Sequence, residues 1–213
     1  FRWEQAVTSG QGTSYGMEFF LQKKSGAFTG WIGYTLSWTQ LQFDALNNGE
    51  PFWARYDRRH DISYVNTYRL REEAPGKDGI VLSATWVYGT GQAITLPVAD
   101  QYAPINRPGQ EPVADAFSSI FTDYVNQYTG RNQFRMAPYH RLDLGVQFIK
   151  KKSWYTRTLE FSVYNAYNRR NPYFYFIGAE GRSGLFAPPG SNRVLRQVTL
   201  FPVLPSVSYN IKF

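Results

Sequence analysis

Large apolar residues fall at every second position in seven stretches of this chain, and polar or small residues fill the positions between. Leu142, Leu144, Val146 and Phe148 alternate with Arg141, Asp143, Gly145 and Gln147. Side chains of a strand point to opposite faces in turn, so a period of two predicts a strand whose faces meet different surroundings. The same reading predicts strands over 15–22 (Tyr15, Met17, Phe19, Leu21), 32–39 (Ile32, Tyr34, Leu36, Trp38) and 61–70 (Ile62, Tyr64, Tyr68, Leu70). It adds 81–88 (Leu82, Ala84, Trp86, Tyr88), 158–163 (Leu159, Phe161, Val163) and 206–213 (Val207, Tyr209, Ile211, Phe213). None of the seven apolar faces carries a charge, and only Asn66 interrupts them with a carboxamide.

A soluble β-sandwich also alternates. Aromatic content shifts the balance: Phe, Tyr and Trp make up 18% of the chain, and Tyr15, Trp38, Tyr68 and Tyr88 close the ends of apolar faces. Rings with one wet edge suit the level of lipid headgroups. A mean hydropathy of −0.43 excludes an apolar spanning helix but not a barrel, in which only alternate residues meet lipid. The expectation is an all-β transmembrane antiparallel β-barrel, with Met17, Phe19, Leu36, Leu82, Leu142, Leu144, Val146, Phe161, Tyr209 and Ile211 facing lipid.

Connections alternate in length. Short ones are expected near 25–28, 72–79 and 151–156, and long ones near 43–57, 96–139 and 168–193. Outer-membrane barrels keep short turns on the periplasmic side, so the last strand runs inward and Phe213 stands at the periplasmic rim. The first strand then also runs inward. Bacterial single-chain barrels have even strand numbers, so residues 1–213 are expected to be the carboxy-terminal segment of a larger barrel. Within the longest connection, Ala116, Ile120 and Phe121 have helical spacing and predict a short helix over 115–124.

The charge of +7 is spread over turns, as Lys23-Lys24, Arg58-Arg59, Lys150 to Lys152 and Arg169-Arg170. No basic face is organised for nucleic acid; these groups read as solvated strand ends, with lipopolysaccharide phosphates as the alternative contact for some of them. The chain has no cysteine and two histidines, His60 and His140, each beside an arginine at a strand start. A metal site needs three or four convergent ligands, so both are expected to be structural. Tyr56, Asp57, Arg58 and Asp61 read as an exposed rim network of ion pairs, and Glu18, Asp61, Asp143 and Glu160 as polar groups opposite the apolar faces, within reach of Arg69, Arg141 and Lys212. No nucleophile elbow or phosphate loop occurs. Neither catalysis nor a cofactor is expected. Ligand contact is expected from aromatic and polar residues of the long connections: Trp53, Arg55 and Tyr56; Tyr102, Asn106, Arg107, Tyr124 and Tyr128; Tyr173, Tyr175 and Arg182.

Five segments in order, GTSYGMEFFLQKKSGAFTGWIGYTLSW (12–38), YDRRHD (56–61), RMAPYHRLDLGVQF (135–148), YNAYNRRNPYF (164–174) and LFPVLPSVSYNIKF (200–213), resemble the barrel strands of TonB-dependent receptors, especially those of Bacteroidetes. The resemblance implies a 22-stranded outer-membrane barrel of which this chain forms the last seven strands. It also implies earlier strands, an amino-terminal plug, TonB engaged through that missing part, and import of a scarce nutrient without chemistry. A surface lipoprotein is a further implied partner, and terminal Phe213 is similar to the signal read by barrel-assembly machinery. The rival readings are an outer-membrane scaffold without transport and a soluble carbohydrate-binding β domain.

Overall fold

The main sheet takes its order from the chain. The computed structural model describes residues 7–74, 77–102, 124–179 and 193–213, and among these the fold is all-β. The strands are β1 (Gln11–Lys23), β2 (Phe28–Gln42), β3 (Phe52–Trp53), β4 (His60–Arg71), β5 (Gly79–Gly89), β6 (Ala93–Ile94), β7 (Ala99–Tyr102), β8 (Tyr124–Gln127), β9 (Phe134–Arg135), β10 (Tyr139–Lys151), β11 (Thr156–Tyr164), β12 (Pro172–Ala179), β13 (Arg193–Thr199) and β14 (Leu204–Lys212). The main path is β1-β2-β4-β5-β10-β11-β14, with β3 added to the end of β2. Each of the seven alternating stretches lies in one strand of that path, apart from the final Phe213, which follows β14.

These strands are long, from 9 to 15 residues, where about 5–6 is usual for globular sheets. The β-branched and aromatic residues that fill them favour extended backbone. Register then brings like faces together across the sheet. One row runs Phe28, Tyr68, Leu82, Val146, Phe161, Val207 from β2 to β14. Directly beside it, on the opposite face, runs Thr29, Thr67, Ser83, Gly145, Ser162, Ser206. A slip of one residue in any strand would put its hydroxyls among the rings, so face chemistry holds the register.

β4 departs from strict alternation. A bulge between Arg69 and Arg71 pairs Arg71 with Ile80, so Leu70, expected to continue the apolar face, is the extra residue of the bulge.

The connections alternate as expected. Short ones join β1 to β2, β4 to β5 and β10 to β11; long ones join β2 to β4, β5 to β10 and β11 to β14. The long ones are more ordered than the sequence suggests. They contain antiparallel pairs β6-β9, β7-β8 and β12-β13, none of which alternation announced. The helix expected over 115–124 falls outside the described residues, apart from Tyr124, which opens β8.

Two compact units divide the chain: residues 1–13, 39–57 and 93–135 form one, and 14–38, 58–92 and 136–213 form the other. Buried apolar side chains among the described residues are Phe52, Ala54 and Ala93, all in the first unit. The second unit, which carries most of the main sheet, has no buried apolar core among its described residues.

Candidate functional site

The second unit presents two chemically distinct faces. Leu144, Phe161 and Tyr209 are 43%, 44% and 57% exposed, and Met17 and Phe19 are both 56% exposed. The ten residues expected on the apolar face share it. Leu82, Val146 and Phe161 stand in one row; Leu142 pairs with Trp86, Leu144 with Ala84 and Val163, Tyr209 with Leu159, Ile211 with Arg157 and Leu36 with His60. Phe19 stacks on Tyr34 and Tyr15 on Trp38, which places Met17 between them on the same side. Seven strands spaced ~4.8 Å apart and an apolar band about eight residues tall make a patch on the order of 700 Å². That exceeds the roughly 300–600 Å² of the largest patch on an ordinary soluble monomer.

Both ends of this face are ringed. At the long-connection end, Arg59 lies 4.6 Å from the Trp38 ring, and His140 stacks on Tyr88 with Tyr167 tilted against it. Both histidines are on the apolar face and each is hydrogen-bonded to a phenol: Tyr34 Oη with His60 Nδ1 at 2.9 Å, and Tyr167 Oη with His140 Nδ1 at 2.8 Å. At the short-turn end, Trp154 stacks on Phe213 and meets Tyr155 edge to face.

On the opposite face Asp61, Asp143 and Glu160 have local partners. Asp143 accepts from Arg141 Nε at 3.0 Å and from the Asn165 backbone N–H at 2.9 Å, while Arg141 also donates to Tyr139 and Tyr164. Glu160 accepts from Gln147 at 3.2 Å. Asp61 meets Arg58 at 3.4 Å in the exposed pair expected there. Asp57 differs from the expectation of an exposed rim group. It is 1% exposed, accepts from the Thr39 N–H at 2.6 Å and is paired with Arg135. Its partner lies 78 residues away, beyond the reach of local reading.

The motif YNAYNRRNPYF works through its asparagines. Asn165, 1% exposed with φ 55°, donates to the carbonyls of Arg169 and Phe201 and accepts from the Arg169 N–H. Asn168 accepts from the Val203 N–H. Asn171 accepts from the His140 N–H at 3.0 Å and donates to the His140 carbonyl at 2.9 Å, so its amide serves that residue as a strand neighbour would. Asn171→Ala should therefore cost about 1–2 kcal/mol, because two backbone groups lose their partner. Asn171→Asp should recover less than half, since a carboxylate cannot donate to the carbonyl. Chemical denaturation of the variants checks both.

The clearest place for a solute lies in the first unit. Asn47 and Asn48 turn the chain with φ 55° and 57°, a left-handed conformation that asparagine tolerates. Asn47 accepts from the Arg131 N–H at 2.8 Å, and Asn132 donates to the Trp53 carbonyl at 2.7 Å and exchanges hydrogen bonds with Thr95. These bonds hold open a cleft of about 440 Å³ between the 47–48 turn and the 128–131 turn. Asn47, Thr95 and Thr129 spend their polar atoms on neighbours. Asn48, Tyr128 and Arg131 present a carboxamide, a phenol and a guanidinium without a hydrogen-bond partner among the described residues, with Arg131 resting over the Phe52 ring. Among the described residues, no carboxylate or imidazole lines the cleft. Such a set can hold a solute rich in hydroxyl or carboxylate groups.

Of the residues expected to touch ligand, Tyr128 lines this cleft; Asn48 and Arg131, which line it too, were not among them. The clue to them was the turn chemistry of Asn47-Asn48-Gly49 and Gly130-Arg131. Trp53 is committed to structure: it pairs with Gln40 and lies under the Arg135 guanidinium. Tyr175 is too, accepting from the Ala137 N–H and donating to Gln197. Tyr56 and Tyr173 are exposed, as is Arg55. Tyr102 and Tyr124 are register partners in the β7-β8 pair. Asn106, Arg107 and Arg182 lie outside the described residues. The chain matches no protein-family model, no curated protein and no solved structure.

Proposed function

We propose that this chain is part of the wall of an outer-membrane β-barrel and that the barrel is a TonB-dependent nutrient receptor. The observation that carries the membrane reading is the uncovered apolar face, continuous in register over six long strands and backed by a row of hydroxyls and glycine. In water such a face would be covered by a second layer. In a bilayer it needs no cover, and strands of at least 9–11 residues cross the hydrocarbon when tilted. The rings of Trp, Tyr and His at both ends suit the two interfaces.

A wall also needs closure. In this sheet β1 and β14 are the ends of the path and do not pair with each other. Their outer backbone groups would be costly in lipid, at roughly several kcal/mol each, so further strands of the same barrel are the proposed neighbours. A lumen of 22 strands is wide enough to need a plug. In that arrangement the hydroxyl-lined face meets water and plug, the short turns are periplasmic, and the long connections form the outer ligand surface. Solute binds through Asn48, Tyr128 and Arg131, and TonB acts on the plug rather than on this chain.

The membrane half of the proposal is tested by reconstitution. The protein should require detergent, enter vesicles, and there migrate as a heat-modifiable band with its strands protected from protease. A stable detergent-free monomer would refute it. The transport half is tested by uptake and binding in the whole receptor. Asn48→Ala with Tyr128→Ala should weaken ligand binding about tenfold or more, as two hydrogen bonds near 1 kcal/mol each imply, with barrel assembly unchanged. Unchanged affinity would remove this cleft from the binding surface.

A further inference from the structure

We propose that the hydroxyl-bearing face carries a second solute site at the short-turn end of β1, β2 and β4, and that its occupant is an acidic saccharide; the inference rests on the transport reading above. It begins with two aromatic rings on that face. Phe19 stacks on Tyr34 of the apolar face, so its chain neighbour Phe20 points the other way. There Phe20 meets Trp31, with ring centroids 5.8 Å apart, and stays 66% exposed. Trp31 pairs in register with Val65, and Val65 with Thr85, one row from Thr29, Thr67 and Ser83 on the same side. Gly33, the next position on this side of β2, leaves room for both rings: a Cβ there would already meet Trp31 at 3.5 Å and Phe20 at 3.9 Å. Exposed rings beside polar groups suit the C–H face of a sugar.

The polar groups lie one step nearer the short turn. A cleft of about 330 Å³ is lined there by Gln22, Lys24, Thr29, Val65 and Thr67. Thr29 Oγ1 and Thr67 Oγ1 share a hydrogen bond of 2.9 Å, which uses one of their two O–H groups and leaves the other, with lone pairs, for a solute. The Gln22 amide has no hydrogen-bond partner, and Lys24 no carboxylate partner, among the described residues. Lys23 also borders the cleft, but its Nζ lies over the Phe28 ring of the apolar face, so Lys24 supplies the charge here. Among the described residues no carboxylate lines the cleft. The cleft at Asn48, Tyr128 and Arg131 offers a matching set: a carboxamide, an aromatic ring and a cation, again with no carboxylate among the described residues. An acidic saccharide has the complementary parts. Its ring packs on Phe20 and Trp31, its hydroxyls meet Gln22 and the threonines, and its carboxylate meets Lys24. A cation without an acid beside it favours such a solute over a neutral sugar.

Isothermal titration calorimetry tests this on the whole protein that carries the chain, in detergent, with digalacturonate as probe and cellobiose as its neutral control. Wild-type protein should bind two digalacturonates, and Asn48→Ala with Tyr128→Ala should keep one. In that background Lys24→Gln should weaken digalacturonate about fivefold, the upper range for an ion pair open to water, and leave cellobiose unchanged. Lys24→Arg should keep the preference for the acid. Phe20→Ala should weaken both sugars alike. If no digalacturonate binds beyond what Asn48 and Tyr128 account for, the second site is overturned and the receptor reading, judged by uptake, stands. Equal affinity of the remaining site for the two sugars overturns the acidic occupant. Two bound digalacturonates in a protein that imports no solute would keep the site and fail the transport reading alone.

Discussion

Leu144→Arg should cost ~2–4 kcal/mol of stability in a bilayer, while Gln147→Arg in the same strand should be nearly neutral. Leu144 stands between Ala84 and Val163 on the uncovered apolar face, near the middle of β10. A guanidinium there has no carboxylate in its row and no water at that depth. Gln147 lies on the opposite face beside Glu160, to which it already donates a hydrogen bond, so arginine there meets water and an acid. Urea unfolding of the protein folded into vesicles, followed by the heat-modifiable band, measures both. Equal defects would mean that the two faces do not differ in their surroundings, and the wall reading would fail.

Asp57→Ala should loosen the first unit by about 2–4 kcal/mol. The Asp57 carboxylate is buried, holds the Thr39 N–H and pairs with Arg135, which in turn donates to the Asp57 carbonyl at 2.7 Å. Removing one member of a buried pair strands the other, which commonly costs ~3–5 kcal/mol. Here the Arg135 side chain is 34% exposed, so water recovers part of the charge and the lower range applies. Asp57→Asn keeps an acceptor for Thr39 and should cost about half as much. Hydrogen exchange over 39–57 and 124–135 should rise for the alanine variant. Unchanged exchange would show that the pair does not hold these segments together.

What could be read along the chain and what could not follows from the range of the forces. Alternation is local: each residue in 141–148 declares its face through its own volume and polarity, and the neighbours in register repeat the declaration. Connection lengths are equally local. The partnership of Asp57 with Arg135 spans most of the first unit, and nothing near YDRRHD announces that its first aspartate is buried while its second stays exposed. The asparagines at 165, 168 and 171 looked like loop punctuation. Their work is to satisfy backbone groups at Phe201, Val203 and His140, which the sequence does not place beside them. The β12-β13 pair escaped notice because Tyr173-Phe174-Tyr175-Phe176-Ile177 is apolar at consecutive positions and has no period to detect.

By itself, then, the chain determined seven strands, the face most of their residues take and the end at which each connection lies, because side-chain alternation needs only neighbours two residues apart; the bulge at Leu70 it did not announce. Only the tertiary structure decided the register that joins six strands into one apolar row and one hydroxyl row. It alone placed Asn66 between Gly30 and Ala84, buried Asp57 against Arg135, and opened a cleft at Asn48, Tyr128 and Arg131. Those arrangements depend on hydrogen bonds and charges meeting across tens of residues, and such meetings exist only once the sheet has formed.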